Sequence, residues 1–561
     1  MIYNQGFGGG MKPKIIVTAP TGTVVTATKG TTTITASESS GKYVILADDY
    51  GTWTITGTKG SQSVSAEVNV VAVDTYEVTL DMTPKVLNDA TWEQIRDVAD
   101  ASTGPNYWSV GDTKEITING KLSDGLTLSN YSTWVYIIGF DHNSSVEGTG
   151  IAFQGFKTAQ TGGTDIALCD SGYAVGQWSG QWFNMNNSNT NAGGWQSSRM
   201  RNTTIPVVKS ALPTELTSVI KTTSIYTDNT GGSSDTASYV TATQDDIYLL
   251  AEFEIFGTRT YANSAEQNYQ QQYAYYVAGN SKIKYKYNAT ATSVYWQGRS
   301  RSVYTSATEG FCYVFTNGTG SVDSAVASHG LAPAFKVGSN PPPQPISALS
   351  VGSSIYCNVD GVKTEFIVVN QGKPSDIYDD SCDGAWLLMK DVYENNLWNT
   401  SSGNLYSSSY IYSYLNNTFI NKFDSGVQGI IKQVKIPYVN GTGTGSGTYP
   451  VASGANGISE KIFPLSCYEV GWTTATDNTY PPADGALLSY FGTHGRLAYK
   501  DGSTSGYWLR SPFVGNTYVY IVNDVGNCVT VVVSRSATYG IRPAFILPFD
   551  TQVDFQGNIV T

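Results

Sequence analysis

Charge is scarce in this chain, and what there is leans negative. Only 14% of the 561 residues are charged, with 33 Lys and Arg against 45 Asp and Glu. A nucleic-acid surface needs clustered basic side chains to neutralise phosphates, so a formal net charge of −12 without a basic run excludes nucleic acid as a partner. Long apolar runs are also missing. No stretch reaches the roughly 18 residues that a membrane helix requires, so no membrane insertion is expected. The opening, MIYNQGFGGGMKPK, lacks the basic-then-apolar order of a secretory signal. The three histidines, His142, His329 and His494, are far apart and in no H-x-x-x-H pattern, which argues against zinc. The six cysteines (Cys169, Cys312, Cys357, Cys382, Cys467 and Cys528) form no C-x-x-C pair and read as buried small apolar residues rather than bridges. No metal and no cofactor are expected.

Gly, Ser, Thr, Asn and Tyr are abundant instead, which favours β-rich, loop-rich domains over helical bundles. Residues 1–12 read as a flexible Gly-rich tail. Over 13–74, short runs such as TVVTAT, TTTITA and GTWTITGT alternate Val, Ile and Thr between Gly, Ser and Asp turns. This predicts an antiparallel β-sandwich of about seven strands, with Trp53 as its core aromatic. From Thr75 the pattern changes. LNDATWEQIRDVADAS predicts a helix capped by Asn88 or Asp89, with Trp92, Ile95 and Val98 or Ala99 on one apolar face. A second domain is expected over 75–337, a stiff Pro-rich linker over 338–345, a third domain over 346–550 and a tail over 551–561.

The second and third domains share landmarks in one order. VIKTTSIY at 219–226 matches IIKQVKIPY at 430–438, and EIFG at 254–257 is echoed by EVG at 469–471. KIKYK at 282–286 matches RLAYK at 496–500, and Tyr-Trp occurs at 295–296 and at 507–508. Last come GLAPAF from Gly330 and GIRPAF from Gly540. Five matches in order mean two copies of one fold, at a period far too long for a solenoid.

The tail of the third domain reads GYWLRSPFVGNTYVYIVNDVGNCVTVVVSRSATYGIRPAFILP. Its frame, Tyr-Trp-Leu-Arg-Ser-Pro to Gly-x-Arg-Pro-Ala-Phe, resembles the C-type-lectin-like domain of variable proteins from diversity-generating retroelements. Such domains are found on phage tail fibres and receptor-binding proteins. The earlier copy departs from it: WQGRSRS replaces Trp-Leu-Arg-Ser-Pro, and Ala332 stands where Arg542 does. The resemblance implies two α+β lectin-like domains after an immunoglobulin-like module. It also implies a ligand face on a β-sheet near the C-terminus, with variable residues between fixed frame elements.

The residues fit such a division. Trp508 and Phe545 are large enough to anchor a core, Pro512 and Pro543 fix φ at two bends, and Gly540 permits close backbone approach. Arg510 and Arg542 read as structural, bonding backbone carbonyls. Residues 517–522 and 528–533 read as two strands around the turn 523–527. Alternate side chains of a strand share a face, so one face can be core while the other varies. The candidate contacts are Phe513, Asn516, Tyr518, Tyr520, Thr530, Val532, Arg535 and Tyr539. Tyr offers a large amphipathic surface at small entropic cost, and Asn and Thr offer adaptable hydrogen bonds. For Val532 and Tyr520, core and contact readings are both open. The earlier copy would use Arg301, Tyr304, Thr308, Tyr313, Asp323 and His329, with His329 as a surface side chain.

The reading is a host-attachment protein of a phage particle, made in the cytoplasm without a signal peptide. Its N-terminal region would join phage structural proteins. Its lectin-like face would bind a host cell-surface protein or polysaccharide, in a homo-oligomer, a trimer by the resemblance. A bacterial surface adhesin or a fixed-specificity glycan-binding protein is the alternative. An enzyme on the same fold is disfavoured. One such class uses paired reactive cysteines, and Cys528 has no second cysteine near it in sequence. The acidic stretch around Asp379, Asp380 and Asp383 fits a turn or a weak Ca²⁺ site and lacks the EF-hand pattern.

Overall fold

The computed structural model describes residues 11–39, 41–60, 62–174, 183–304, 309–400, 403–441, 449–474, 480–513, 517–533 and 539–561. The chain divides into two compact units, Met1–Ser339 and Asn340–Thr561. It is β-rich, as the composition predicts. Among the described residues no helix is long and apolar enough to cross a membrane.

The first unit begins with two four-stranded sheets face to face. One runs Ser37–Ser39, Lys42–Leu46, Lys14–Thr18, Thr75–Thr79; the other runs Thr32–Thr35, Val24–Lys29, Gly51–Lys59, Gln62–Val70. Ile15, Val17, Tyr43 and Ile45 of one sheet bury against Val25, Ala27, Trp53 and Ile55 of the other. The alternation in the sequence is this period-two burial. Trp53 is the core aromatic, its indole N–H donating to Asp49 O at 3.0 Å. The boundary moves, however. Thr75–Thr79 pairs in parallel with Lys14–Thr18, so the sandwich has eight strands and ends after the expected 74.

The helix follows as Trp92–Asp100, burying Trp92, Ile95, Val98 and Ala99. Its cap is Thr91, not Asn88 or Asp89. The Thr91 hydroxyl accepts from Gln94 N and the Gln94 side chain accepts from Thr91 N, a capping box. Leu87–Asp89 forms a separate turn of 3-10 helix.

Each unit then carries a central antiparallel sheet with the same order of five strands, to which the first unit adds Ile247–Tyr248 against Ala334–Val337. In the first unit the order is Ile220–Lys221, Ala334–Val337, Ile151–Lys157, Leu126–Phe140, Thr113–Ser123. In the second it is Ile462–Phe463, Ala544–Leu547, Ala385–Met389, Val362–Gln371, Ser354–Val359. The repeated Gly-x-x-Pro-Ala-Phe corner has one task in both. It feeds its Ala-Phe strand into the second position of this sheet. Phe335 stacks on Phe153 at 5.5 Å and Phe545 meets Phe366 edge-on at 5.1 Å. The expected C-terminal tail is partly folded. Gln552–Val553 pairs with Gln344–Pro345, the end of the expected linker, and Val553 is buried.

Gly540 shows why the corner needs glycine. A Cβ there would lie 2.3 Å from Val392 Cγ1 and 3.0 Å from Gly506 O. Gly540→Ala must therefore push the corner off its neighbour, and we expect a loss of about 1–3 kcal/mol in denaturant unfolding of the full chain. An unchanged midpoint would show that the contact yields freely.

Candidate binding face

Beside each central sheet lies a smaller one. In the first unit it joins Trp296–Arg301, Gly310–Val314 and Gly320–Ser324. In the second it runs Glu394–Asn396, Tyr539–Ile541, Tyr507–Pro512, Tyr518–Val522, Cys528–Val532. The strands at 518–522 and 528–532 are those predicted, and Asn523 Oδ1 closes their turn by accepting from Asn527 N at 2.9 Å.

Under each small sheet sits a buried ion pair. Arg510 donates from both terminal nitrogens to the two Glu469 oxygens at 2.6 Å, and to the carbonyls of Pro437, Pro464 and Asp484 at 3.1, 3.0 and 2.9 Å. Burial opposes the charge on Arg510, but the Glu469 carboxylate outweighs it and holds the guanidinium above its ordinary range. Ser511 donates to Asp484 at 2.9 Å, and Tyr378 OH donates to Glu469 at 2.8 Å. The first unit repeats the ion pair, one of the carbonyl bonds and the serine–acid bond. Arg299 donates to Glu254 at 2.6 Å and to Leu249 O at 2.7 Å, and Ser300 donates to Glu266 at 2.6 Å. Both glutamates accept from the backbone N–H three residues earlier, Ala251 and Ser466, at 2.9 Å. The strand N–H of Arg299 bonds Leu250 O and that of Arg510 bonds Leu465 O, each four residues before its glutamate.

These bonds fix the equivalence of the copies. Trp296 pairs with Val314 and bridges Gly330; Tyr507 pairs with Val522 and Gly540. The two Tyr-Trp dipeptides are thus one residue out of step, and the repeated element is Arg-Ser, 299–300 and 510–511. Burial pushes Asp484 up to about 7, Glu460 up to about 8 and Glu266 up to about 7.

Of the predicted contacts, Tyr518, Tyr520, Thr530 and Val532 share a face, because Tyr518 pairs with Val532 and Tyr520 with Thr530. Phe513 joins them, 6.3 Å from the Tyr518 ring and 5.9 Å from that of Tyr520. Asn404 Nδ2 donates to the carbonyls of Phe513 and Tyr518, each at 3.0 Å, and so pins both ends of the connection. Phe513, Tyr518, Thr530 and Val532 are half-buried. Tyr520 is 0% exposed and belongs to the core. Tyr539 lies on the opposite face. It packs edge-on against Trp508 at 5.1 Å, and Trp508 pairs with Ile521. Asn516 and Arg535 lie outside the described residues, as does Thr308.

The frame residues are buried: Trp508, Arg510, Pro512, Gly540, Arg542, Pro543 and Phe545. Arg542 bonds the carbonyls of Met389 and Lys390 at 2.9 Å, so both arginines are structural as read. Among the described candidate contacts of the first unit only Tyr304 is exposed, at 56%. Arg301 is buried on Asp228 at 2.5 Å. His329 is not a surface residue. It is 2% exposed, tilted against the Tyr313 ring at 4.7 Å and 3.1 Å from Asp323. Asp379 caps a turn, accepting from Ser381 N at 2.9 Å, which is the turn reading of that stretch.

A family model described as a domain of unknown function (DUF6273) matches residues 176–339 and again 383–549, together more than half of the chain. The chain belongs to the DUF6273 family. No curated protein and no solved structure matches it. Each DUF6273 match contains one whole frame: glutamate, second acid, Arg-Ser and the Gly-x-x-Pro-Ala-Phe corner. The two acids escaped the sequence reading, although Glu254 and Glu469 stood in the EIFG and EVG echo.

The acids set a pH dependence. Folded Asp484 keeps its proton to about 7, whereas an unfolded aspartate loses it near about 4. The folded state holds the extra proton between these values, so stability falls as pH rises through that window and levels off above it. Glu460 and Glu266 act with the same sign. Asp484→Asn should flatten part of the fall in chemical unfolding followed from pH 5 to 8. A slope equal to that of the unaltered chain would place the titration elsewhere. Glu469→Ala strands Arg510 in the core and should cost about 3–5 kcal/mol.

Proposed function

We propose that this chain is a receptor-binding protein, each DUF6273 domain offering a sheet face on a fixed buried frame. One observation carries this reading. The ion pair, its backbone bonds at matching offsets and the serine–acid bond recur in both copies, while the positions equivalent to the proposed face differ. By register, Gly310 stands for Tyr518, Val322 for Thr530, Ser324 for Val532 and His329 for Tyr539. A scaffold kept while its surface changes is what a family of binding faces requires, since exposed substitutions usually cost within about ±0.5 kcal/mol.

The face of the second unit is of binding character. Phe513 and Tyr518 supply aromatic area, Thr530 a hydroxyl and Val532 an apolar contact, on strands pinned by Asn404. We place the chain on a phage particle. The N-terminal sandwich, read as an immunoglobulin-like module, is its attachment, and the lectin-like domains face the host cell. No reaction is assigned to it.

The test is adsorption of labelled full chain to a panel of bacterial strains and to their isolated polysaccharides and surface proteins. Tyr518→Ala and Val532→Asp should weaken adsorption at least tenfold with the unfolding midpoint unchanged. Adsorption that survives both changes would move the binding face off this sheet.

A further inference from the structure

Two cysteines distant in sequence meet in the second unit. Cys528 opens the outer strand of the small sheet, and Cys467 lies two residues before Glu469 of the frame. Both side chains lie in the same core, and the Cys528 thiol is near enough to act on that of Cys467. Both residues are buried, at 0% and 2% exposure, and both are free thiols here. The backbone N–H of Cys467 donates to Ser511 Oγ at 2.9 Å, which ties its position to the frame.

The first unit supplies an independent view of the geometry. By the same registers Cys528 corresponds to Gly320, and Cys467, counted from the frame glutamate, to Glu252. A Cβ on Gly320 would stand 3.7 Å from Glu252 Oε1. The fold therefore brings these two positions together in both copies, and only the second copy puts cysteine at both. Thiols are not needed to build the frame, since the first copy builds it without them.

We infer that Cys467 and Cys528 are a cross-linking pair that closes to a disulfide when the chain meets an oxidising thiol–disulfide pool. The chemistry balances with a small disulfide such as oxidised glutathione. One protein thiol gives its proton to solvent, and its thiolate attacks a glutathione sulfur and expels one glutathione thiolate. The second protein thiolate then attacks the protein sulfur of the mixed disulfide and expels the other. Two protein thiols are oxidised and one glutathione disulfide is reduced to two thiols. Burial, then the Cys528 thiol beside it, pushes the Cys467 thiol well up, so little thiolate exists in the closed fold. Exchange then proceeds during folding or while the outer strand is detached. The bond would pin an edge strand, otherwise held on one side only, beneath Thr530 and Val532. The inference rests on the thiol geometry alone, so its failure leaves the binding proposal standing, and the reverse.

The experiment refolds the reduced full chain in a glutathione redox buffer and traps remaining thiols with N-ethylmaleimide at low pH. Tryptic digestion follows. Arg496, Lys500 and Arg510 separate the two cysteines, so only a disulfide holds their peptides together. We expect one linked peptide pair, Cys467 with Cys528, four trapped cysteines, and an unfolding midpoint raised by several degrees over the reduced chain. Cys528→Ala and, separately, Cys467→Ala should lose both the linked peptide and the rise. Six trapped cysteines, glutathione adducts without the linked pair, or a bridge between other cysteines would each overturn the inference.

Discussion

A guanidinium in a protein core is tolerable only when its charge is answered and most of its donors are met. Arg510 meets this condition through Glu469 and three backbone carbonyls. Those partners come from separate stretches of chain, so one side chain dictates how the segments around Pro437, Pro464, Glu469 and Asp484 lie against the Tyr507–Pro512 strand. A buried pair of this kind adds little stability over an apolar filling, but losing one partner is expensive. It therefore selects an arrangement more than it strengthens one. The recurrence of the pair as Arg299 and Glu254, sharing the carbonyl five residues before the glutamate, is what two copies under that constraint should show.

With the strand fixed from beneath, the rest of the small sheet inherits its position. Tyr507–Pro512 sets Tyr518–Val522, which sets Cys528–Val532 at the edge. Constraint weakens along this series. Val519 to Val522 are buried, whereas Thr530 and Val532 are half-buried. The neutral acids belong to the same economy. Asp484 and Glu266 sit too deep to carry charge comfortably, and a serine hydroxyl from the Arg-Ser pair meets each of them.

Much of this was legible in the residues. Trp53, the apolar face of the Trp92 helix and the two strands around 523–527 followed from periodicity, because one buried face leaves a period. The duplication followed from ordered landmarks. What was not legible depended on which face a neighbouring chain covers. Tyr520 has the same neighbours in sequence as a contact residue, yet both faces of its strand are buried. Tyr539 falls on the other side of the sheet because its strand lies beyond Tyr507–Pro512. Thr91 is the cap rather than Asn88 or Asp89 because the Gln94 side chain answers it, a reciprocal bond that residue preference alone does not rank. The helix boundary and the Tyr-Trp offset were read from letters, whereas hydrogen-bond register decides both.

The central claim is that frame and face are separable. The most direct measurement is a full substitution scan of residues 505–548 in the intact chain, scored by resistance to proteolysis. The account predicts that Arg510, Ser511, Trp508, Gly540 and Phe545 accept few replacements, while Phe513, Tyr518, Thr530 and Val532 accept most. Equal intolerance at the two sets of positions would contradict it.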